Sequence, residues 1–377
     1  MVKLFNLKKD LLYIFLIIIV YFIFILFRHI DTINYQFNQN SIRDYLRSQD
    51  IEDTEDRIKD RIHISDSDIY ISAGYLYAKG EVPTKYNFQH APLVKYFLGF
   101  STIIFNNPFV IQIIFGGVLL VLTYLLGLKV FKSALIGILA SGFLLFDPLF
   151  SDMISGGLLD LGQAVFSTSY VLGSLLAPDN FILNGISLGL VGASKSWTTS
   201  VFLLAALSFY KIVCKKEKIA FKKLLLTGVV AVMAFSLTYL KAFIEARGHF
   251  NIIYWQLRIL KFLINHDSAA FLGGNVTLFL TGYFKEWWQQ SEFVRSQIWN
   301  PLWPVALISA FFGLVKEKKD SLYYFLYLLP ILYLLYISTG VPFSRYFILI
   351  LPYLYLSLSK TLLDIASVLK KAKFSAR

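Results

Sequence analysis

The stretch DSDIYISAGYLYAKGEVPTKYNFQHAPLVK, residues 66–95, is a long polar interruption between an N-terminal apolar segment and a train of further apolar segments. It opens on two carboxylates, Asp66 and Asp68, and continues through Tyr70, Tyr75 and Tyr77 at helix-like spacing. It closes on His90, Pro92 and Lys95 at the mouth of the next apolar segment. Acids at one end and cations at the other suit a reaction with an anionic leaving group, so chemistry is expected here.

Around this stretch the composition sets the class. The chain has 377 residues, 56% hydrophobic, 17% aromatic and only 16% charged, with a mean hydropathy of +0.61. That excludes a soluble globular chain and indicates a polytopic membrane protein. A formal charge of +12 would suggest nucleic acid in a soluble protein. Here the Lys and Arg residues lie in short runs between apolar segments, where they set orientation, and no nucleic-acid partner is expected. The one cysteine, Cys214, sits among lysines, so neither a disulfide framework nor a Cys-based metal site is expected.

Residues 11–27 are apolar over the length that crosses a bilayer core, with Lys3, Lys8 and Lys9 before them and the acidic run EDTED at 52–56 after them. The N-terminus is therefore expected in the cytoplasm. No small-residue cleavage site follows, so the segment reads as a retained anchor and 29–91 as the first external loop. Residues 93–105 are short for a span, whereas 109–130 and 133–150 are long enough. If 93–105 lies at the outer interface, Lys129 and Lys132 face the cytoplasm, and Asp147, Asp152 and Asp160 share the outer side with Asp66. Residues 158–176 return inward. Segments 181–193 and 197–210 form a short out-and-back pair turning at Ser194, Lys195 and Ser196, which brings lysine-rich 211–223 inside. Segment 224–244 goes out, 245–300 makes a second large external segment, and 301–315, 322–337 and 343–358 complete the bundle. KEKK at 316–319 and KKAK at 370–373 then fall inside. The expected fold is all-α: a single membrane domain over 1–377 with about ten transmembrane helices.

The second external segment carries Arg247, His249, Arg258, His266 and Asp267. Trp287, Trp288, Trp299 and Trp303 cluster where a span begins, and read as an aromatic belt at the headgroup level or as a sugar-stacking platform. The sequence holds no internal repeat, Gly-rich phosphate loop or HExxH zinc site.

Several motifs together resemble the GT-C glycosyltransferases that use polyprenyl-phosphate sugars, especially the protein O-mannosyltransferases and the lipid A aminoarabinose transferases. HAPLVK at 90–95 is similar to the HPPLGK signature that ends the first external loop of the mannosyltransferases, with Ala91 and Val94 departing from it. Upstream, that family has an Asp-Glu pair with an aromatic residue four positions after the Asp. Asp66 and Tyr70 match the offset, while Ser67 stands where the Glu is usual and Asp68 is the nearby acid. LLD at 158–160 resembles the second acidic motif, with Ser155 near the place of its usual Arg. GASKSW at 192–197 is similar to a Lys-Trp motif with Ser196 inserted, and VPFSRYFILILP at 341–352 to a late Arg-Tyr helix containing proline.

The resemblance implies a plasma-membrane enzyme with its active site on the extracytoplasmic face. It would transfer a sugar, such as mannose, from a polyprenyl-phosphate donor, with inversion, to a protein hydroxyl or to a lipid or glycan. These motifs leave a divalent metal open. The residue types suit the chemistry by themselves. A base must take the acceptor proton, for which Asp66 and Asp68 are the candidates. Positive charge must meet the departing phosphate, for which His90, Lys95, Lys195 and Arg345 are available. Asp160, Lys195 and Arg345 adjoin apolar spans, where ionisable groups are costly and functional. The alternative class is a secondary transporter or lipid flippase, which would show repeated halves and helices broken in corresponding positions.

Overall fold

The computed structural model describes residues 7–48, 62–217, 221–266, 272–285 and 292–375. The acidic run at 52–56, Asp267, Trp287 and Trp288 lie outside the described residues, as does the side chain of His266.

The described residues are mostly helical. Helix α1 (Leu7–Arg28) leads into the short α2 (Ile30–Asn34) and α3 (Asn40–Ser48). The central polar stretch forms α4 (Asp66–Ala78), a loop and α5 (Leu93–Phe105). Helices α6 (Val110–Val130), α7 (Ala134–Leu145), α8 (Pro148–Ser155), α9 (Asp160–Leu176), α10 (Phe181–Ser194) and α11 (Trp197–Phe209) follow, the last running into a π-helical turn at Tyr210–Cys214. Next come α12 (Phe221–Leu237), α13 (Leu240–Glu245), α14 (Ile252–His266) and α15 (Gly274–Thr281). A small antiparallel hairpin pairs β1 (Tyr283–Lys285) with β2 (Phe293–Arg295), Tyr283 opposite Arg295. Helices α16 (Leu302–Lys316) and α17 (Leu322–Ile337), a 3-10 turn at Ser344–Leu349 and α18 (Leu351–Ser375) complete the chain.

Among the described residues, Lys8–Arg28, Val110–Val130 and Trp197–Cys214 are long and apolar enough to cross a membrane. Phe15, Phe22 and Phe27 stand exposed along α1, as lipid-facing side chains do. The single span expected over 133–150 is instead a pair, α7 and α8, bent by 63°. Pro148 has no N–H to continue the helix, and Asp147 caps the new one by accepting from the Leu149 N–H at 2.8 Å. The span expected over 224–244 also breaks: α12 stops at Leu237, and the buried Tyr239 turns the chain into α13. The last helix starts only after the 3-10 turn and runs on to Ser375.

Asp147 joins distant elements. Its carboxylate, wholly buried at the α7–α8 bend, accepts from Asn300 Nδ2 at 2.9 Å, from Trp303 Nε1 at 2.8 Å and from the Tyr355 hydroxyl. A buried charge is tolerated when its oxygens are satisfied in this way. Trp303 therefore belongs neither to a headgroup belt nor to a sugar platform: it is fully buried, stacked on Phe279, with its indole N–H committed to Asp147. The periodicity of an apolar segment does not separate such a core tryptophan from an interfacial one.

Two features position the candidate site. Helices α4 and α5 touch backbone to backbone at Gly74 and Gly99. A Cβ on Gly74 would lie 2.1 Å from the Lys95 carbonyl oxygen, and one on Gly99 only 1.9 Å from that of Gly74. Small residues allow this approach, and the connecting loop returns His90 against Tyr70, ring centroids 5.6 Å apart and edge to face. The second feature is polarity along the bundle. Gln112, at the start of α6, donates to the Leu158 carbonyl beside Asp160. Lys129 lies near the far end of the same helix, roughly 25 Å away at about 1.5 Å per residue.

Candidate active site

The N-terminus of α4 separates the two candidate acids. Ser65 is the N-cap: its oxygen accepts from the Asp68 N–H at 3.1 Å, while its hydroxyl donates to Asp68 Oδ2 at 2.7 Å. The spacing is that of a capping box, with Asp68 closing on the hydroxyl of the cap rather than on its backbone N–H, and it turns Asp68 back onto the helix end. Asp66 points elsewhere. Its Oδ2 accepts from Arg345 Nη1 at 2.6 Å, across 279 positions of sequence. Between the acids, the Ser67 hydroxyl oxygen accepts from the Gly157 N–H at 2.8 Å and ties α4 to the segment leading into Asp160.

Arg345 continues the chain of charge. Its Nε lies 3.9 Å from Asp160 Oδ2. That distance is too long for a hydrogen bond, and neither atom has another hydrogen-bond partner among the described residues. The other oxygen of Asp160 accepts from Lys195 Nζ at 2.6 Å. Asp66, Arg345, Asp160 and Lys195 thus form one line of alternating sign, with side-chain exposures of 44%, 14%, 2% and 9%. Only its Asp66 end opens to solvent. Aromatic rings brace the cations: Lys195 Nζ is 4.3 Å from the centre of the Tyr346 ring, and the Arg345 guanidinium is 4.4 Å from that of Phe343.

Four elements deliver these side chains. Asp160 is the first residue of α9, and Arg345 lies in the 3-10 turn. Lys195 occupies the turn between α10 and α11, where Ser196 caps α11. Burial lowers the Lys195 ammonium from its ordinary 10.5 to about 8, with Asp160 opposing the shift and Arg345 adding to it. In the loop before α5, burial holds the His90 imidazole well below its usual range, and the charges of Lys195, Lys95 and Arg345 act in the same direction. His90 is therefore neutral at physiological pH. It adjoins the charged line through Tyr70 and through the Ala91 N–H, which donates to the Lys195 carbonyl at 3.1 Å.

Lys95 stands apart from the line. It lies inside α5, fully buried, and its ammonium donates to the Asn87 carbonyl at 2.6 Å, to Asn87 Oδ1 at 3.1 Å and to the His90 carbonyl at 2.7 Å. An ammonium has three N–H groups, and all three are used in holding the loop that carries His90.

Other residues entered the site without a sequence signal strong enough to single them out. In the sequence Tyr346 stands out only as the neighbour of Arg345. Asn275, fully buried at the start of α15, donates to the Ile337 carbonyl at 2.7 Å and the Val341 carbonyl at 3.2 Å, and accepts from the Phe343 N–H at 3.2 Å. It clamps the strand of chain that leads into Arg345. The Ser296 and Ser344 hydroxyls, 3.0 Å apart, tie the hairpin to the same place. Among the described residues, no three His, Cys, Asp or Glu side chains converge to hold a metal ion.

Compared with solved structures, the chain is similar to ArnT from Cupriavidus metallidurans bound to undecaprenyl phosphate, with a TM-score of 0.61 at 13% identity over 78% of this chain and 55% of that one. The apo state of ArnT matches with a TM-score of 0.56 at 14% identity, over 78% of this chain and 54% of that one. The chain thus spans about half the length of these structures. No protein-family model matches the sequence, and no curated protein does. At these identities the likeness shows the fold alone, an all-α arrangement like that of ArnT.

Proposed function

We propose that this protein is a membrane glycosyltransferase that takes its sugar from a polyprenyl-phosphate donor and acts at the outer face of the plasma membrane, within a bundle of about ten spans. The observation that carries the reading is the line Asp66–Arg345–Asp160–Lys195, in which a solvent-reaching carboxylate ends a buried run of two cations held by Asp160. The ArnT-like fold, and the undecaprenyl phosphate bound by ArnT, support a lipid phosphate as the donor's leaving group.

In this reading Arg345 and Lys195 hold the donor phosphate, the guanidinium by a bidentate fork and the ammonium as a compact charge. Asp160 is buried between them and fixes both. Asp66 takes the proton of an acceptor hydroxyl as its oxygen attacks the anomeric carbon. The bond from that carbon to the phosphate oxygen breaks, its electron pair leaves with the polyprenyl phosphate, and the configuration inverts. Asp68 serves the helix cap, and Lys95 holds the His90 loop in place rather than touching phosphate. The acceptor is a hydroxyl of a protein, lipid or glycan, with mannose one candidate sugar.

The test is turnover of a labelled polyprenyl-phosphate sugar by single variants. Removal of a general base costs on the order of a hundredfold or more, so Asp66→Asn should lose turnover while still binding undecaprenyl phosphate. Asp68→Asn should keep most of its activity with a small loss of thermal stability. Normal turnover in both variants would remove the catalytic role of this helix end.

A further inference from the structure

The carboxylate proposed as base and the guanidinium proposed as phosphate ligand are bonded to each other, with Arg345 Nη1 donating to Asp66 Oδ2 at 2.6 Å. We infer that Asp66 and the donor phosphate compete for Arg345: the donor binds first and, by taking the guanidinium, releases the carboxylate that acts on the acceptor. This inference rests on the glycosyltransferase reading above.

The geometry shows which partner would yield. Arg345 is anchored: its guanidinium packs on Phe343, Ser344 is tied to Ser296, and the preceding chain is clamped by Asn275. Asp160 is held too, because Lys195 occupies one of its oxygens and it is almost wholly buried. Asp66 has neither restraint. It lies in the first turn of α4, is the most exposed of the four, and among the described residues its ion pair is with Arg345. A phosphate entering from the open end meets Arg345 where Asp66 sits. It offers several oxygens to a planar fork that Asp66 engages with one, and the exchange favours the better-matched anion. Asp66 can then swing toward solvent at little cost, whereas displacing Asp160 would strand a buried charge.

While Arg345 Nη1 donates to Asp66 Oδ2, that oxygen is engaged by the guanidinium and turned away from an acceptor hydroxyl. Pairing before the donor arrives therefore keeps the base silent, and the arriving leaving group switches it on. The predicted kinetic order is donor before acceptor.

Undecaprenyl phosphate, which carries no sugar to transfer, isolates the binding step. Its dissociation constant is measured for the purified full-length protein in detergent, for Asp66→Asn, for Arg345→Ala and for the double variant, with thermal melting run alongside. Competition predicts that Asp66→Asn binds undecaprenyl phosphate roughly two- to fivefold more tightly than the wild type, the range of a partly exposed ion pair. The gain should vanish when Arg345 is absent. Asp66→Ser removes the same charge and replaces the asparagine variant if that fails to fold. Unchanged or weaker binding by the neutral variants, with saturable binding by the wild type, overturns the competition and leaves the donor reading intact. No saturable binding by any of the proteins overturns the donor reading and this inference with it.

Discussion

Raising the pH above about 8 should weaken the hold on a lipid phosphate, and Lys195 is the reason. Its ammonium lies in the turn between two helices, where burial chiefly, offset by Asp160 and reinforced by Arg345, brings it from 10.5 to about 8. The charge is present below that value and lost above it. One pH unit higher, about one molecule in ten keeps the proton, so its contribution to phosphate affinity falls about tenfold, or roughly 1.4 kcal/mol. Stability moves the other way. The folded-state value lies below the unfolded one, so between about 8 and 10.5 the unfolded chain binds more protons, and the Lys195 term makes folding more favourable as pH rises. A fall in affinity over that interval is therefore not a fall in folding. The assay is the dissociation constant for undecaprenyl phosphate at constant ionic strength from roughly pH 7 to about 9.5, for wild type and Lys195→Arg. The wild type should lose affinity through this interval and the arginine variant should not, since a guanidinium stays charged. A flat wild-type profile, or a parallel fall in both proteins, would refute the role given to Lys195.

Asn275→Ala frees the segment leading into Arg345 and orphans buried backbone groups. It should raise the undecaprenyl phosphate dissociation constant about tenfold in a protein that still folds, and Asn275→Asp, which keeps the acceptor for the Phe343 N–H but sets an oxygen against the Ile337 and Val341 carbonyls, should do no better. Lys95→Met keeps the volume but removes three hydrogen bonds. It should lower the melting temperature and turnover while changing undecaprenyl phosphate affinity less than about threefold, and a larger loss would make Lys95 a phosphate ligand. For orientation, exposed Lys85→Cys and Lys132→Cys in a Cys214→Ser background should differ toward an impermeant thiol reagent in intact cells. The first should label and the second should not; labelling at 132 from outside would turn the site to the cytoplasmic face.

Much of the fold was legible because its signals are local. Apolar length marks α1 and α6, and the short segment expected at 93–105 is the helix Leu93–Phe105. The breaks were harder. Pro148 and Asp147 together are a stop and a cap, visible once the segment is read for hydrogen bonds rather than for hydropathy. The same reading would have separated the two acids of the central stretch, because Ser65 and Asp68 stand at capping-box spacing before an apolar run. Long-range pairings were not legible in this way. Nothing near Asp66 says that its partner is Arg345, and nothing near Lys95 says that its amine turns back to the Asn87 and His90 carbonyls. Charge beside the apolar segments was the useful guide, since the cost of burying Asp160, Lys195 and Arg345 drives them toward one another.

Cleavage of the bond between a sugar and a polyprenyl phosphate, the reaction proposed for this protein, can be followed by incubating the purified protein with a panel of polyprenyl-phosphate sugars labelled in the sugar, together with membrane extract as acceptor, and measuring release of polyprenyl phosphate. The wild type should consume at least one donor and move its label to acceptor material, and Asp66→Asn and Arg345→Ala should not. Donor consumption by wild type and Asp66→Asn at equal rates, or by neither across the whole panel, would contradict the proposed reaction.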